Sequence, residues 1–335
     1  MIFRPEQRAY DHHHLVDQAM PPRPSIEERL ACLREIRSGG DLTQLREAAV
    51  RHLPDRCNLI VAEAAKIVRE FELSGMEPDL LRAWTHLIDG PDPMKADKGC
   101  WAKTALIEAL AALNYDDPEL YQAALTYQQI EPAWPDAIDT AENVRASAAF
   151  ALARSLRMRT VDKLIAFVDY LQGSTFDQVN AVRAMSDTGS ESALPLLRMK
   201  LLSHGIHSDV AGACMTGLLE MAPTTSIPLV AGFLKSEREE LVTEAAAALG
   251  SCGKPEAIKS LIHAWNRTAD DGLRRSLVLS IGLSRDPSAV DFLIQQLELH
   301  HDPDLILNAL KPNLVYEEIR LRVDEAKQRR KRPIR

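Results

Sequence analysis

The residues best suited to chemistry in this chain are few, and their spacing points to binding rather than catalysis. Asp11-His12-His13-His14 sets three imidazoles beside a carboxylate, a donor set that suits zinc, nickel or copper. Adjacent residues on one proline-rich arm seldom close around an ion, so adventitious metal binding is the expected behaviour. Residues 89 to 99 carry Asp89, Asp92 and Asp97 but lack the alternating carboxylates and terminal glutamate of a calcium-binding EF-hand loop. They read as a connection between structural units. No G-x-S-x-G elbow, Walker loop, G-x-G-x-x-G or H-E-x-x-H occurs, which removes the commonest motif-marked hydrolase, nucleotide and zinc sites. No metal, cofactor or catalytic residue is assigned from these residues.

Six aromatic side chains concentrate in the first half: Trp84, Trp101, Tyr115, Tyr121, Tyr127 and Trp134. Helical spacing makes most of them core candidates that fill wedges between helices. Trp134 differs, because EPAWPDAIDT is a Pro-bracketed insertion, and long loops in repeat proteins often carry binding contacts. Trp134 is expected either to pin this loop or to anchor a ligand, with pinning preferred.

Composition narrows the class. Five cysteines without C-x-x-C spacing indicate reduced thiols rather than a disulfide framework or a metal knuckle. No apolar run approaches the roughly 18 to 20 residues needed to cross a bilayer, and the start MIFRPEQRAYDHHH lacks the apolar stretch of a signal peptide. A cytoplasmic protein without a membrane span is expected. The net charge of −8 opposes a broad phosphate-binding surface. Lys327, Arg329, Arg330, Lys331, Arg332 and Arg335 oppose that trend and leave about −14 on the rest of the chain. They read first as a solvated basic tail near a helix C-terminus, and second as an attachment point for an anionic partner.

The elements that position these residues follow a 32-residue beat. Leu164, Leu196, Leu229, Leu261 and Leu293 fall 32, 33, 32 and 32 residues apart, each followed by a second apolar residue. Such a period marks a solenoid whose units bury their apolar faces against their neighbours. Within 237 to 267, Leu241, Val242, Ala245, Ala246 and Leu249 form one helical stripe. Gly250 and Gly253 are expected to stop it. Ile258, Leu261, Ile262 and Trp265 form a second stripe after Pro255, a residue suited to the first turn of a helix. The same pattern recurs at about 57–88, 99–129, 140–171, 175–202, 207–235 and 273–297, giving about eight or nine helical hairpins. The expected fold is an all-α, α-α superhelix: an arm at 1–24, a single solenoid at 25–326 and a basic tail at 327–335.

VTEAAAALGSCGKPEAIKSLIHAW (242 to 265) and LRRSLVLSIGLSRDPSAVDFLIQQL (273 to 297) resemble HEAT repeats of the short bacterial type called phycobilisome-lyase-like. The shared features are an Ala-rich first helix, a Leu-Gly or Ile-Gly close, a Pro near the start of the second helix and a double aliphatic within it. Residues 140–235 resemble the family more loosely, and 25–130 mainly in helix rhythm. The resemblance implies architecture rather than lyase chemistry, since these hairpins recur in proteins of unrelated function. Di-iron HEAT-repeat hydroxylases take their ligands from His-Glu pairs, and no His-Glu dipeptide occurs here. HEAT-like DNA glycosylases use a basic concave face, which the net charge disfavours.

In this family the second helices are expected to line the concave side. With the five beat leucines in the core, Ala166, Arg198, Ala231, His263 and Gln295 lie about 200° around each helix from them. Lys235, Lys259 and Arg267 lie nearby, while Asp209, Glu237, Glu239, Glu240 and Glu244 fall on first helices or loops. The expected site is a mildly basic groove of Arg198, Lys235, Lys259, His263, Arg267 and Gln295 that accepts a protein or acidic peptide, with Trp134 as loop anchor. The leading function is a non-catalytic scaffold. The alternative is a HEAT-type enzyme or enzyme subunit, either glycosylase-like or tetrapyrrole-lyase-like. Oligomeric state is not set by these features.

Overall fold

A computed structural model describes residues 24–299 and 301–331; the expected His12–His14 metal donors lie outside them. The described chain forms nine helical hairpins in sequence order. The first four are α1 and α2 (Ile26–Gly39, Leu42–His52), α3 and α4 (Asn58–Glu70, Glu77–Ile88), α6 and α7 (Trp101–Ala112, Pro118–Leu125), and α8 and α9 (Glu142–Arg154, Thr160–Tyr170). A single turn, α5 (Pro93–Ala96), precedes α6, and a two-stranded hairpin, β1 (Ile130–Glu131) and β2 (Ile138–Asp139), precedes α8. Next come α10 and α11 (Thr175–Asp187, Ala193–Leu201), α12 and α13 (Ser208–Met221, Pro223–Gly232), and α14 and α15 (Glu239–Cys252, Pro255–Arg267). The last are α16 and α17 (Asp271–Leu283, Pro287–Leu299), and α18 and α19 (Pro303–Leu310, Glu317–Lys331). This is the all-α superhelix expected from the beat. Among the described residues no helix is long and apolar enough to cross a membrane.

The 32-residue period has a polar counterpart. Arg145 donates to Asp177, Ser174 to Glu142, the Gly99 N–H to Glu131, and Arg238 to the Ile206 carbonyl, each across 32 residues. Equivalent positions in successive repeats are thus tied directly. The apolar beat is less strict. Leu164, Leu261 and Leu293 are buried, but on α11 and α13 the deepest residues are Leu197 and Val230, while Leu196 and Leu229 are only partly covered. A doublet of apolar residues spans about 100° of helix, so either member can meet the core when a repeat is rotated by one residue.

The first helices (α3, α6, α8, α10, α12, α14, α16) pack extensively on one another, whereas the second helices touch one another sparsely until α19 lies along α17. Residue size explains the difference. Ala148, Ala149, Ala245 and Ala246 are buried in the first layer, while Leu261, Trp265, Phe292 and Leu297 fill the second. A layer of small side chains lets helix backbones approach, and the array curves toward its more closely spaced layer. This corrects the expectation that the second helices line the inner side: they form the outer layer.

Two glycines mark the closest approach. A Cβ on Gly250 would lie 2.1 Å from the Ser280 carbonyl oxygen, and one on Gly282 would lie 2.2 Å from that of Ala309. Gly250 therefore lies inside α14 rather than stopping it. The stop is Gly253, whose φ of +64° suits a residue without a Cβ. The apolar spacing of Ile319, Val323 and Ala326 predicts a final helix over 315–330, and α19 runs to Lys331. Arg322 pairs with Asp291, Arg329 with Glu298, and Arg330 donates to the Leu297 carbonyl. These cations dock the last helix on α17, and the part of the basic stretch from residue 327 to Lys331 belongs to that helix.

Gly250→Ala separates close packing from helix propensity. Alanine is the better helix former by up to about 1 kcal/mol, yet the clash with Ser280 should destabilise the protein by about 1–3 kcal/mol. Urea unfolding is expected to show a lower midpoint, and a raised midpoint would remove the close-approach role.

Candidate functional site

The irregular step between α7 and α8 rests on buried polar groups. Asp97, fully buried, accepts the N–H groups of Ala102 at 3.1 Å and Lys103 at 2.8 Å, and the Asn58 amide at 2.9 Å. It thereby serves the start of α6 and is not an open cation ligand. The Lys103 side chain is 0% exposed and donates to the Pro93 carbonyl and to Gln129 Oε1, both at 2.9 Å, with the Tyr127 ring 5.4 Å away. Burial lowers its pKa, and the nearby Asp97 opposes that shift. Burial raises the Cys100 thiol to about 11, which keeps it in the poorly nucleophilic protonated form.

Glu131 continues the network, accepting from the Gly99 N–H at 2.6 Å, Gln129 Nε2 at 2.7 Å and Thr140 Oγ1 at 2.8 Å. Arg145 closes it with two bonds to Asp177 at 3.1 and 3.0 Å, one to Asp139 at 2.7 Å and one to the Tyr127 carbonyl at 2.9 Å. Burial opposes ionisation of Asp139, but the N–H groups of Ala141 and Gln129 together with Arg145 outweigh it and hold the carboxyl below its ordinary value. The base of the β-hairpin is therefore fixed. Trp134 at its tip is 94% exposed, which corrects the preferred expectation that it pins its own loop: Gln129, Glu131 and Asp139 do that. Trp101, expected in the core, is also largely exposed, whereas Trp84 and Tyr121 are buried.

On the outer layer, α13 and α15 diverge around small residues. Ala231, Gly232, Ser260 and Ala264 leave a cleft of about 570 Å³ between them. Lys259, His263 and Arg267 line it from α15, and Lys235 from the short turn Phe233–Lys235 that follows α13. Among the described residues no carboxylate lines this cleft. Four of the six expected groove residues thus meet in one place. Arg198 on α11 and Gln295 on α17 are exposed but do not line it. Arg198 follows the deeply buried Leu197 directly, which turns it about 100° rather than 200° from the core.

The inner layer carries a second groove that the sequence reading did not assemble. Side chains from α8, α10, α12 and α14 line a volume of about 940 Å³, with Phe150 and Phe176 beside Asp209, Glu220 and Glu244. Asp209 and Glu244 had stood out as acidic first-helix or loop positions, but assigning the inner side to the second helices left them without a shared surface. Burial, with the neighbouring Asp209, raises the pKa of Glu244.

The hairpin lock yields a paired test. Arg145→Met leaves the buried Asp177 without its cation and should cost about 3–5 kcal/mol. Trp134→Ala, at an exposed tip, should change stability by no more than about 0.5 kcal/mol. Thermal melts of both variants check this, and a large loss in Trp134→Ala would restore the pinning role.

Comparison with known proteins gives a family for part of the chain. The family model for HEAT repeats matches residues 199–282, which run from the end of α11 through most of α16. No curated protein matches. Among solved structures, the chain is similar to the complex of CpcE and CpcF of phycocyanin lyase from a Nostoc species, at 14% identity over 96% of this chain and 98% of that one, with a TM-score of 0.38. It is also similar to human deoxyhypusine hydroxylase, at 18% identity over 78% of this chain and 92% of that one, with a TM-score of 0.29. An engineered protein is similar at 16% identity over 92% of this chain and 95% of that one, with a TM-score of 0.31. Residues 199–282 thus match the model for HEAT repeats, within an all-α superhelix.

Proposed function

We propose that this protein is a non-catalytic scaffold that holds an acidic segment of a protein partner in the cleft between α13 and α15. The observation that carries this reading is the convergence of Lys235, Lys259, His263 and Arg267 on one cleft without a lining carboxylate. None of the four makes an ion pair among the described residues, so their donors are available to a ligand. Hydrogen bonds from ionised donors to carboxylates are roughly twice as strong as neutral ones. Ala231, Leu234, Ala264 and Leu273 add apolar surface between the charges, which favours a peptide that alternates acidic and aliphatic residues over a bare anion.

Trp134 fits the same role as a second contact. A tryptophan presented on a fixed support loses little conformational freedom when it enters a partner's pocket, and such residues are enriched among binding hot spots. The five cysteines are all unpaired thiols, which supports a reducing, cytoplasmic setting for the scaffold.

Fluorescence anisotropy with a labelled ten-residue peptide of alternating Glu and Leu tests the cleft. Lys259→Glu with Arg267→Glu should weaken binding by about tenfold for each reversed charge. Arg198→Glu, outside the cleft, should leave it nearly unchanged. Equal affinity in wild type and the double variant would remove this reading.

A further inference from the structure

The inner groove differs from the outer cleft in layer, shape and charge. It runs across four successive first helices, α8 to α14. With neighbouring helix axes about 8–10 Å apart, that path is roughly 25–30 Å long and matches an extended segment of about eight or nine residues. Gly212 and Gly217 let side chains of the neighbouring helices settle against α12: a Cβ on Gly212 would lie 2.0 Å from Glu244 Oε2, and one on Gly217 would lie 2.1 Å from Ser186 Oγ. Phe176 is 41% exposed at this surface, with Phe150 of the preceding repeat beside it. Aromatic faces open to a groove offer apolar contact and attract cations.

The carboxylates that line the groove, Asp187, Asp209, Glu220 and Glu244, outnumber its cations. Glu220 is exposed and Glu244 is half-buried, and neither has a hydrogen bond or ion pair among the described residues. The Asp209 carboxylate lies 3.8 Å from His207 Nδ1 and close enough to Glu244 to disfavour its ionised form. Asp187 is already paired with Arg154, and among the described residues Arg183 is the single Lys or Arg side chain that lines this groove. Asn180 is 5% exposed and lines the groove; its amide N–H donates to the Phe176 carbonyl at 2.9 Å, which leaves Oδ1 to accept from a ligand.

We infer that the inner groove binds an extended, arginine- or lysine-bearing segment of a protein partner, with Glu220, Glu244 and Asn180 accepting its donors and Phe150 and Phe176 packing on its stems. A cation beside Glu244 would also offset the burial and the Asp209 charge that now disfavour its ionised form. The protein thereby carries two peptide sites of opposite charge preference, one on each helix layer, and is suited to bridge an acidic and a basic partner. This inner site does not depend on the outer cleft.

A fluorescein-labelled nine-residue peptide of alternating Arg and Ala, followed by anisotropy, tests the inference. Saturable one-to-one binding is expected, weakened about tenfold by Glu220→Gln with Glu244→Gln and several-fold by Phe176→Ala, with circular dichroism confirming that each variant is folded. Glu220→Gln alone, at an exposed position, should still weaken binding if the double variant fails to fold. The cleft variant Lys259→Glu with Arg267→Glu should retain it, so failure here is distinguishable from failure of the acidic-peptide site. Insensitivity to the groove variants would overturn the proposal, as would an equal loss in Glu317→Gln with Glu318→Gln on α19, or uptake of spermine without uptake of the peptide.

Discussion

Backbone contact within the first-helix layer is the constraint on which the other features depend. Gly250 against the Ser280 carbonyl and Gly282 against that of Ala309 leave no room for a side chain, and buried alanines extend the close spacing along the array. The second layer is packed with Leu261, Trp265, Phe292 and Leu297, whose bulk keeps its helices apart. Curvature toward the first layer follows from this difference in side-chain volume. It sets the groove lined from α8 to α14 on the inner layer and opens the cleft between α13 and α15 on the outer one.

The β-hairpin insertion interrupts that regularity without loosening it. Arg145 joins the hairpin through Asp139 and the next repeat through Asp177, while Lys103 and Glu131 tie the hairpin base to the start of α6. Buried charges add little net stability, because desolvation offsets most of their attraction, but removing one partner is costly. Their contribution here is to fix one geometry for a segment that lacks an apolar core of its own. A protruding Trp134 is tolerated because the loop's position is set at its base.

Much of the architecture was legible because solenoid packing is local. The stripes of α14 and α15, the Pro that opens each of α13, α15, α17 and α18, and the 32-residue beat all report contacts within a repeat or to the next. What depended on comparing the two layers was not legible. Gly250 reads as a helix stop when only its own segment is considered, and becomes a packing residue once α16 lies against it. The same limit sent Arg198 and Gln295 to a groove they do not line, because helix phase gives direction around an axis but not which layer lies inside. Lys235, Lys259, His263 and Arg267 were found together because they are close in sequence as well as in space, whereas Glu220 and Glu244 meet Phe150 and Phe176 only across four helices.

The two helix layers, on the reading proposed above, present separate binding surfaces of opposite preference. Amide hydrogen exchange, recorded with and without a saturating acidic peptide, reads this directly because protection maps onto individual helices. Slowed exchange confined to α13, α15 and the turn between α13 and α14 is expected, with α8, α10 and α12 unchanged. Protection along α10 and α12 by the acidic peptide would contradict the separation of the two surfaces.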